Sequence, residues 1–579
     1  MSEYNYKNFK LESECDVNMS TLKDSGDYKI FKIAIGKCNE KTEPIKIEWS
    51  VPCCDIVSQW NPGFNVDCTL KPAWDSVKVQ SRTVFSMPLQ VHMGAGGVNR
   101  CTVALSDPKN LCEIRSGVYE EDACILYKVI LYPQYVGTEY EILLMTDMRD
   151  IPFYEAIDGV RKWWTELGYN IAYVPDVARV PMYSTWYAMH QNLDESELLR
   201  ELEIAKEYGM KAVIIDDGWQ TEDNNRGYAY CGDWKPAKSK IPDMKSFVGK
   251  VHSLGMKCLL WYSVPLAGIY SETLKRFSDK ILKQNNKACY VLDPRYKEVR
   301  DYLSDTFEQA VKEWDFDGLK LDFMDSFQLG ENDEIKSGMD IISLETAICT
   351  LMTDIKKRLE LIKPDILIEL RQNYIGPQML GYGNILRVAD CPADIIKHRV
   401  CGINLRLTSG SSAVHSDMLM WNYKESVESA ARQIINVLFL VPQISMKLEK
   451  ISDEHKKMLK FYLDLVDEYR KCLQEGEMKI YNPEANYSLV TLEKDMQFFA
   501  VAYSNYVVKS YSVYNKFIFV NGTSDDTLII DNLADEYEVE VTVFNCMGES
   551  ENYNSVLKKG LNKFNVKQSG VLKLKKLSF

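Results

Sequence analysis

The sequence predicts a multidomain α/β protein: a central (β/α)8 TIM barrel, an N-terminal β-sandwich before it and a small C-terminal antiparallel β domain after it. Three observations lead there. The chain has 579 residues, more than one hydrophobic core serves, so about two to four domains are expected. Its two ends alternate apolar and polar residues, whereas its middle runs strand, helix, strand, helix. The polar residues of that middle part gather where its strands end.

Residues 1–150 hold the expected sandwich. Lys29–Ile35, Ile45–Trp49, Ala123–Leu131 and Tyr140–Met145 alternate as half-buried strands do, and turn clusters such as Asn61-Pro62-Gly63 separate them. Residues 151–180 read as a helical linker, with Phe153–Leu167 ending near Gly168. Residues 181–475 form the expected barrel. Its candidate strands are Met182–Tyr187, Ala212–Asp217, Lys257–Tyr262, Gly318–Phe323, Asp365–Arg371, Ile385–Asp390, Ser412–His415 and Val441–Lys447. Helical patterns lie between most of them. Glu195–Tyr208 stops at Gly209 and Met244–Leu254 at Gly255, each glycine placed to let the chain leave a helix. Short apolar strands in this number, over about 270 residues, suit a closed barrel, with a doubly wound open sheet as the alternative. A long helical pattern, Asp453–Leu473, closes this part. Residues 476–579 alternate again, with Asn521-Gly522 as a hairpin signal, and their expected role is to brace the barrel.

Composition argues against several classes. A net charge of -14 speaks against a nucleic-acid partner or a basic membrane-surface protein. No run of about 18 apolar residues occurs, so no membrane span is expected. The first residues lack the apolar core of a signal peptide. The 16 cysteines are scattered with no C-x-x-C pair, which predicts free thiols in a reducing cytoplasm. With 6 histidines and no H-E-x-x-H or Cys/His cluster, no metal is expected. Gly94-Ala95-Gly96-Gly97 leads into no helix, so it is not a phosphate loop. The expectation is a cytoplasmic protein without metal or organic cofactor, with homo-oligomerisation left open.

The chemistry gathers on Gly318–Phe323. In a strand, Lys320 and Asp322 point one way and Leu319, Leu321 and Phe323 the other. A Lys and an Asp facing the centre of a barrel are costly unless partnered or used. The plain alternative is a buried ion pair that only fixes the fold. The other strands end comparably. The first ends in Ser184-Thr185-Trp186-Tyr187, the second in Asp216-Asp217-Gly218-Trp219, and the third in Trp261-Tyr262. The fifth ends in Glu369-Leu370-Arg371, the sixth in Asp390, and the seventh in His415-Ser416-Asp417. Catalytic groups of such barrels sit at this edge. Helix caps would explain one Asp per loop, but not Asp216-Asp217 together with nearby Trp rings. Acids, a Lys and Trp platforms suit glycoside hydrolysis. One carboxylate attacks the anomeric carbon and another protonates the leaving oxygen. Rings cover the apolar face of the sugar while Asp and Lys hold its hydroxyls.

Five segments also resemble a family. Ile214–Trp219, Gly232–Pro236, His252–Trp261, Gly318–Asp322 and Arg387–Asp390 are similar, in order and at barrel spacing, to the motifs of glycoside hydrolase family 36, the α-galactosidases or melibiases. The resemblance covers about 181–450; outside it is architectural, since that family has a β-supersandwich before its barrel and an antiparallel β domain after it. It implies Asp322 as nucleophile, Asp390 as acid/base, Asp216 and Asp217 on the far hydroxyls of galactose, and Lys320 on the sugar beside the nucleophile. Trp219, Trp261 and Trp186 are candidate cleft walls, with core packing as the alternative for each. Arg371, Asp394 and His415 complete the candidate substrate-binding set, and Asp394 is also a rival for the acid/base.

The sequence departs from the family after the fifth strand, where Arg371–Pro377 lacks the usual Cys and Gly-rich turn. It also lacks a sugar-binding Arg in Asn285–Cys289. The implied reaction is retaining hydrolysis of terminal α-D-galactosyl residues. It requires catalytic carboxyls about 5–5.5 Å apart, against about 6.5–9.5 Å for an inverting pair. Lys320 should keep Asp322 ionised, and Asp390 should sit in a drier or more negative setting that keeps it protonated. Transglycosylation, as in the raffinose and stachyose synthases that resemble the same family, stays open. So does a catalytically silent glycan-binding protein.

Overall fold

Runs of aliphatic residues in the middle of the chain become eight parallel strands that close on themselves. In the computed structural model these are β1 (Met182–Ser184), β2 (Ala212–Ile215), β3 (Lys257–Ser263), β4 (Gly318–Asp322), β5 (Leu367–Arg371), β6 (Ile385–Arg387), β7 (Ala413–Leu419) and β8 (Val441–Ile444). Sequence order is spatial order, and β8 pairs with β1 to seal the barrel. The open-sheet alternative is thereby excluded. The structure describes residues 2–38, 42–63, 66–133, 139–330, 335–511 and 513–577.

The barrel interior is layered. Near the strand starts, Met182, Ala212, Ile214, Leu259, Leu367, Ile385 and Ala413 form a dry, fully buried cluster. Two residues further along, strand alternation brings Asp216, Trp261, Lys320, Glu369, Arg387 and His415 to the same face. The apolar plug thus supports a polar floor.

Several elements differ from expectation at their ends. β1 stops at Ser184 and the chain turns into a short helix, Trp186–Met189, so Trp186 leaves the barrel wall. β6 ends at Arg387 and leaves Asp390 on a loop, while β7 runs on to Leu419 with a register shift against β8 between His415 and Met418. Between β3 and β4 lies an unanticipated three-stranded antiparallel sheet of Leu266–Gly268, Cys289–Leu292 and Ile281–Asn286, the last at its edge.

The N-terminal strands form two six-stranded sheets packed around Phe9, Ile33, Ile47, Tyr127 and Leu144. Cys15 and Cys38 are joined by a disulfide, which corrects the expectation of free thiols throughout. The hydrogen bond from Gly36 N to Asp16 O, 2.8 Å, holds the two segments side by side, a pairing between strands that spacing does not reveal.

The C-terminal sheets are not wholly antiparallel. Gln497–Ala502 pairs in parallel with Lys516–Asn521, and Val507–Ser510 with Thr527–Asn532. Asn521-Gly522 makes no hairpin, because the chain crosses there from the seven-stranded to the three-stranded sheet. The buried Asn521 amide fixes that crossing by donating to Asp525 O and Val566 O at 2.7 and 2.8 Å. The three parts meet on the helix Ile395–Ser409, where Asn404 Oδ1 accepts from Trp60 Nε1 at 2.8 Å and from the Tyr487 hydroxyl at 2.6 Å. Among the described residues no helix is long and apolar enough to cross a membrane.

Candidate active site

Asp322 ends β4, and every nearby element reaches toward it. Its Oδ1 accepts from Arg371 Nε at 2.8 Å, from the Tyr374 hydroxyl at 3.2 Å and from Phe323 N at 2.8 Å, while Oδ2 accepts from Trp261 Nε1 at 3.1 Å. The last backbone bond exists because Phe323 turns into the left-handed region, φ 62°, an uncommon conformation for an aromatic residue. Burial alone would raise the Asp322 carboxyl. The Arg371, Lys320 and Arg387 charges outweigh it and hold the group well below the usual carboxylate range. Asp322 is therefore an ionised, oriented carboxylate.

A second cluster faces it. Lys320 Nζ donates to Asp216 Oδ2 at 2.6 Å, and that pairing outweighs the burial that would otherwise lower the ammonium. Asp217 Oδ2 and Oδ1 accept from the Gln191 and Gln220 side-chain amides at 2.8 and 2.7 Å. The tight turn depends on Gly218, φ +117°, where a Cβ would lie 2.5 Å from Gln191 Cα. Burial pushes the Asp217 carboxyl up to about 6, despite the two amides.

This shift has a measurable consequence. A folded value above the unfolded one near 3.9 means that folding stability falls as pH rises through that interval, an ionisation cost of about 3 kcal/mol at neutral pH. Asp217→Asn should therefore raise Tm at pH 7, with the gain over wild type shrinking below about pH 4, as followed by thermal melts. A lower Tm for the variant at pH 7 would contradict the assigned strain.

The third cluster lies under Asp390. Arg387, 1% exposed, donates from Nη1 to Asp417 Oδ1 at 2.5 Å and from Nη2 to Asp390 Oδ1 at 3.0 Å, with Glu369 Oε1 3.6 Å from Nε. Cys391 N and the Tyr187 hydroxyl donate to Asp417 Oδ2 at 2.7 and 3.0 Å. The Asp390 side chain is 60% exposed at its other side. Burial raises its carboxyl, but Arg387 outweighs burial and leaves it below its ordinary value. The sequence-based expectation of a raised Asp390 is corrected here, because the adjacent guanidinium decides the sign.

Other candidates fall differently. Trp219 is fully buried outside the barrel wall, packed on Trp234, Tyr262 and Trp314 with its Nε1 on Trp261 O at 2.9 Å, so it is core and not a cleft wall. Trp261, 1% exposed, holds Asp322 and offers no open face. Trp186 remains at the rim, half-buried, with the Arg226 guanidinium 5.5 Å over its ring. His415 lies in the barrel interior on Ala178 O at 2.7 Å and Gln443 Nε2 at 3.1 Å. Burial holds it at about 3, so it is a neutral floor residue and not a sugar ligand. Asp394 is an exposed helix cap that accepts from Lys397 N at 3.0 Å. One of its carboxyl oxygens is engaged at the helix start. Arg371 spends its Nε on Asp322 and its Nη1 on Gln372 O.

Sequence reasoning missed Gln191, Gln220, Tyr374 and Tyr228. The Tyr228 ring stacks 6.4 Å from Trp261 and lies 4.8 Å edge-on to Phe323. Burial and the Asp322 charge raise its hydroxyl, keeping it a protonated donor beside the carboxylates. It sits on a loop with no periodicity to mark it.

A closed (β/α)8 barrel with carboxylates and their cations at the strand ends belongs to the class of barrels with polar groups at the face where this fold carries its active sites. Comparison with known proteins narrows the class. Residues 174–376 match the Melibiase family. An α-galactosidase of Lactobacillus acidophilus, Mel36A, is 32% identical over 158 residues, 26% of this chain and 20% of that protein. The α-galactosidase AgaA of Geobacillus stearothermophilus is 26% identical over 145 residues, 24% of this chain and 20% of that protein. The aligned part thus spans about one fifth of these relatives. Over the whole chain the fold is similar to a Lactobacillus brevis α-galactosidase, TM-score 0.64 at 12% identity, covering 99% of this chain and 86% of that one. It is also similar to an AgaA variant solved with raffinose, TM-score 0.63 at 14% identity, covering 100% and 84%.

Proposed function

We propose that the protein is a retaining glycosidase that hydrolyses terminal α-D-galactosyl residues from oligosaccharides. The observation that supports this most is Asp322, an ionised carboxylate gripped by four donors at the end of β4. In the proposed reaction Asp322 attacks the anomeric carbon and Asp390 gives its proton to the leaving oxygen. Asp390 then takes a proton from water, which displaces Asp322 and restores the starting anomer. Asp216 and Asp217 keep second lone pairs on their oxygens for sugar hydroxyls, and their fixed turn favours one arrangement of those hydroxyls.

Asp390 begins with its proton affinity lowered by Arg387. A bound sugar covers its exposed side, removes water and raises it toward the acid's working range.

The test is a screen of aryl α-glycosides: galactoside, N-acetylgalactosaminide, glucoside and xyloside. The galactoside should be turned over faster than the glucoside by about two orders of magnitude or more, because a site built to bond a hydroxyl rejects a sugar that presents it wrongly. Equal or better turnover of the glucoside would sink the substrate assignment.

A further inference from the structure

A row of aromatic rings leads outward from Asp322 to the surface. Trp261 Nε1 donates to Asp322 Oδ2 at 3.1 Å, and the Tyr228 ring stacks on Trp261 at 6.4 Å. Tyr228 opens a tight turn, which Cys231 N closes by donating to Tyr228 O at 3.2 Å. Tyr230 stands in that turn, two residues from Tyr228, so their Cα atoms are at most about 7 Å apart. Its ring meets that of Tyr270, with centroids 5.0 Å apart and planes tilted by 39°. Tyr230 is 41% and Tyr270 61% exposed. Among the described residues, no other two well-exposed aromatic rings touch.

The pair is carried on fixed backbone. The segment that bears Tyr270 also starts at Asp322, where Val264 N donates to Asp322 O at 3.0 Å, and continues as the strand Leu266–Gly268. Tyr270 N then donates to Ala229 O at 3.0 Å and Gly268 N to Cys231 O at 2.8 Å, so turn and strand lie side by side. Gly268 permits that approach, because a Cβ there would lie 2.2 Å from Ala229 O. Beyond Tyr270, Asp233 Oδ1 accepts from Thr273 N at 2.9 Å and ties the two segments again. The other end of the loop is held by Gln191, whose Oε1 accepts from Arg226 N at 2.7 Å while its amide holds Asp217. Two large rings left open to water on a preordered backbone mark a contact surface.

We propose that Tyr230 and Tyr270 form a sugar-stacking platform beside the candidate cleft, which takes a neutral hexose of the leaving part of the substrate. That the hexose belongs to the leaving part rests on the α-galactosidase reading; the platform itself does not. Both segments set out from Asp322 or its partner Trp261, and the pair lies at their exposed ends. The two rings offer flat, uncharged faces that match the C–H face of a sugar ring. The substrate class is an oligosaccharide in which galactose is α-linked to one or more neutral hexoses, in preference to the galactoside of a small alcohol.

Two measurements test this. In the first, methyl α-galactoside is compared with melibiose and raffinose; the leaving parts are methanol, one hexose and two, all of them alcohols. The wild type should favour the better oligosaccharide over the methyl glycoside in kcat/KM by about tenfold, the size of one good stacking contact. Tyr230→Ala and Tyr270→Ala should each bring that ratio toward one. Tyr270→Phe should keep it, because the ring remains, and it guards against a folding defect in the alanine variant. A wild-type ratio at or below one, or a ratio that both alanine variants retain, overturns the platform, while cleavage of the galactosides upholds the reading it rests on. In the second, sucrose, the part that raffinose would release, is titrated by calorimetry into wild type and the three variants. Binding should weaken about tenfold in each alanine variant, and equal binding, or none in the wild type, overturns the platform. If no galactoside is cleaved but sucrose binding depends on both rings, the α-galactosidase reading fails and the platform stands.

Discussion

Asp322→Gly should abolish turnover of activated and natural α-galactosides alike, by about four orders of magnitude or more, because in the proposed mechanism no glycosyl-enzyme forms without the carboxylate. Leaving-group quality does not rescue it. Added azide does, and the product is the β-galactosyl azide, from one inversion at the anomeric carbon. The variant also reports on folding. Asp322 is depressed below its unfolded value near 3.9. Its contribution to stability is thus present above that value and lost as pH falls through the folded one. The variant should melt below wild type at pH 7, with the gap closing in acid. Full activity of Asp322→Gly on any galactoside, or the α-azide as product, refutes the nucleophile assignment.

Asp390→Ala separates substrates instead. A poor leaving group needs a proton and a good one does not, so the variant should lose a natural galactoside by about a hundredfold or more and spare an activated aryl galactoside. Azide gives the α-galactosyl azide, by two inversions. The Arg387 contact adds a pH signature. The free protein holds Asp390 below its ordinary value, and in the proposed reaction the bound sugar would cover it. On a poor leaving group, kcat/KM should lose activity with rising pH earlier than kcat does, since the two report the free enzyme and the complex. The reverse order of the two alkaline limbs excludes Asp390 as the acid. A leaving-group-dependent loss in Asp394→Ala, but not in Asp390→Ala, moves the role four residues along.

Much of the fold was legible because barrel strands are short apolar runs with helices between them, a pattern that survives without tertiary information. Part of the geometry around Asp322 was legible as well. Strand alternation puts Lys320 and Asp322 on one face, and the structure has both inside the barrel. What alternation could not supply is the partner. Whether Asp390 sits beside a carboxylate or a guanidinium depends on how the loop after β6 folds back over Arg387, three residues earlier, and its sign was misjudged for that reason. Trp219 follows two acids and invites a functional reading, yet one glycine of positive φ turns its ring into the core. His415 ends a short apolar run, but β7 continues past it, so it lies a layer too deep. Asn521-Gly522 has the composition of a hairpin; only the neighbouring strands decide that it is a crossing between sheets. Tyr374 and Tyr228 stand on loops, where no period exists to be read.

The Asn404 amide has a thermodynamic consequence. One oxygen accepts both the Trp60 indole from the N-terminal sheets and the Tyr487 hydroxyl from the C-terminal ones. The helix that presents it begins five residues after Asp390. If either flank let go, a buried donor would lose its partner at about 1–3 kcal/mol, and the segment bearing Asp390 would loosen in the same event. The flanks and the barrel are therefore coupled as one cooperative unit around that helix. Heat should not strip a flank and leave a working barrel behind; catalytic competence and global integrity are lost in a single transition.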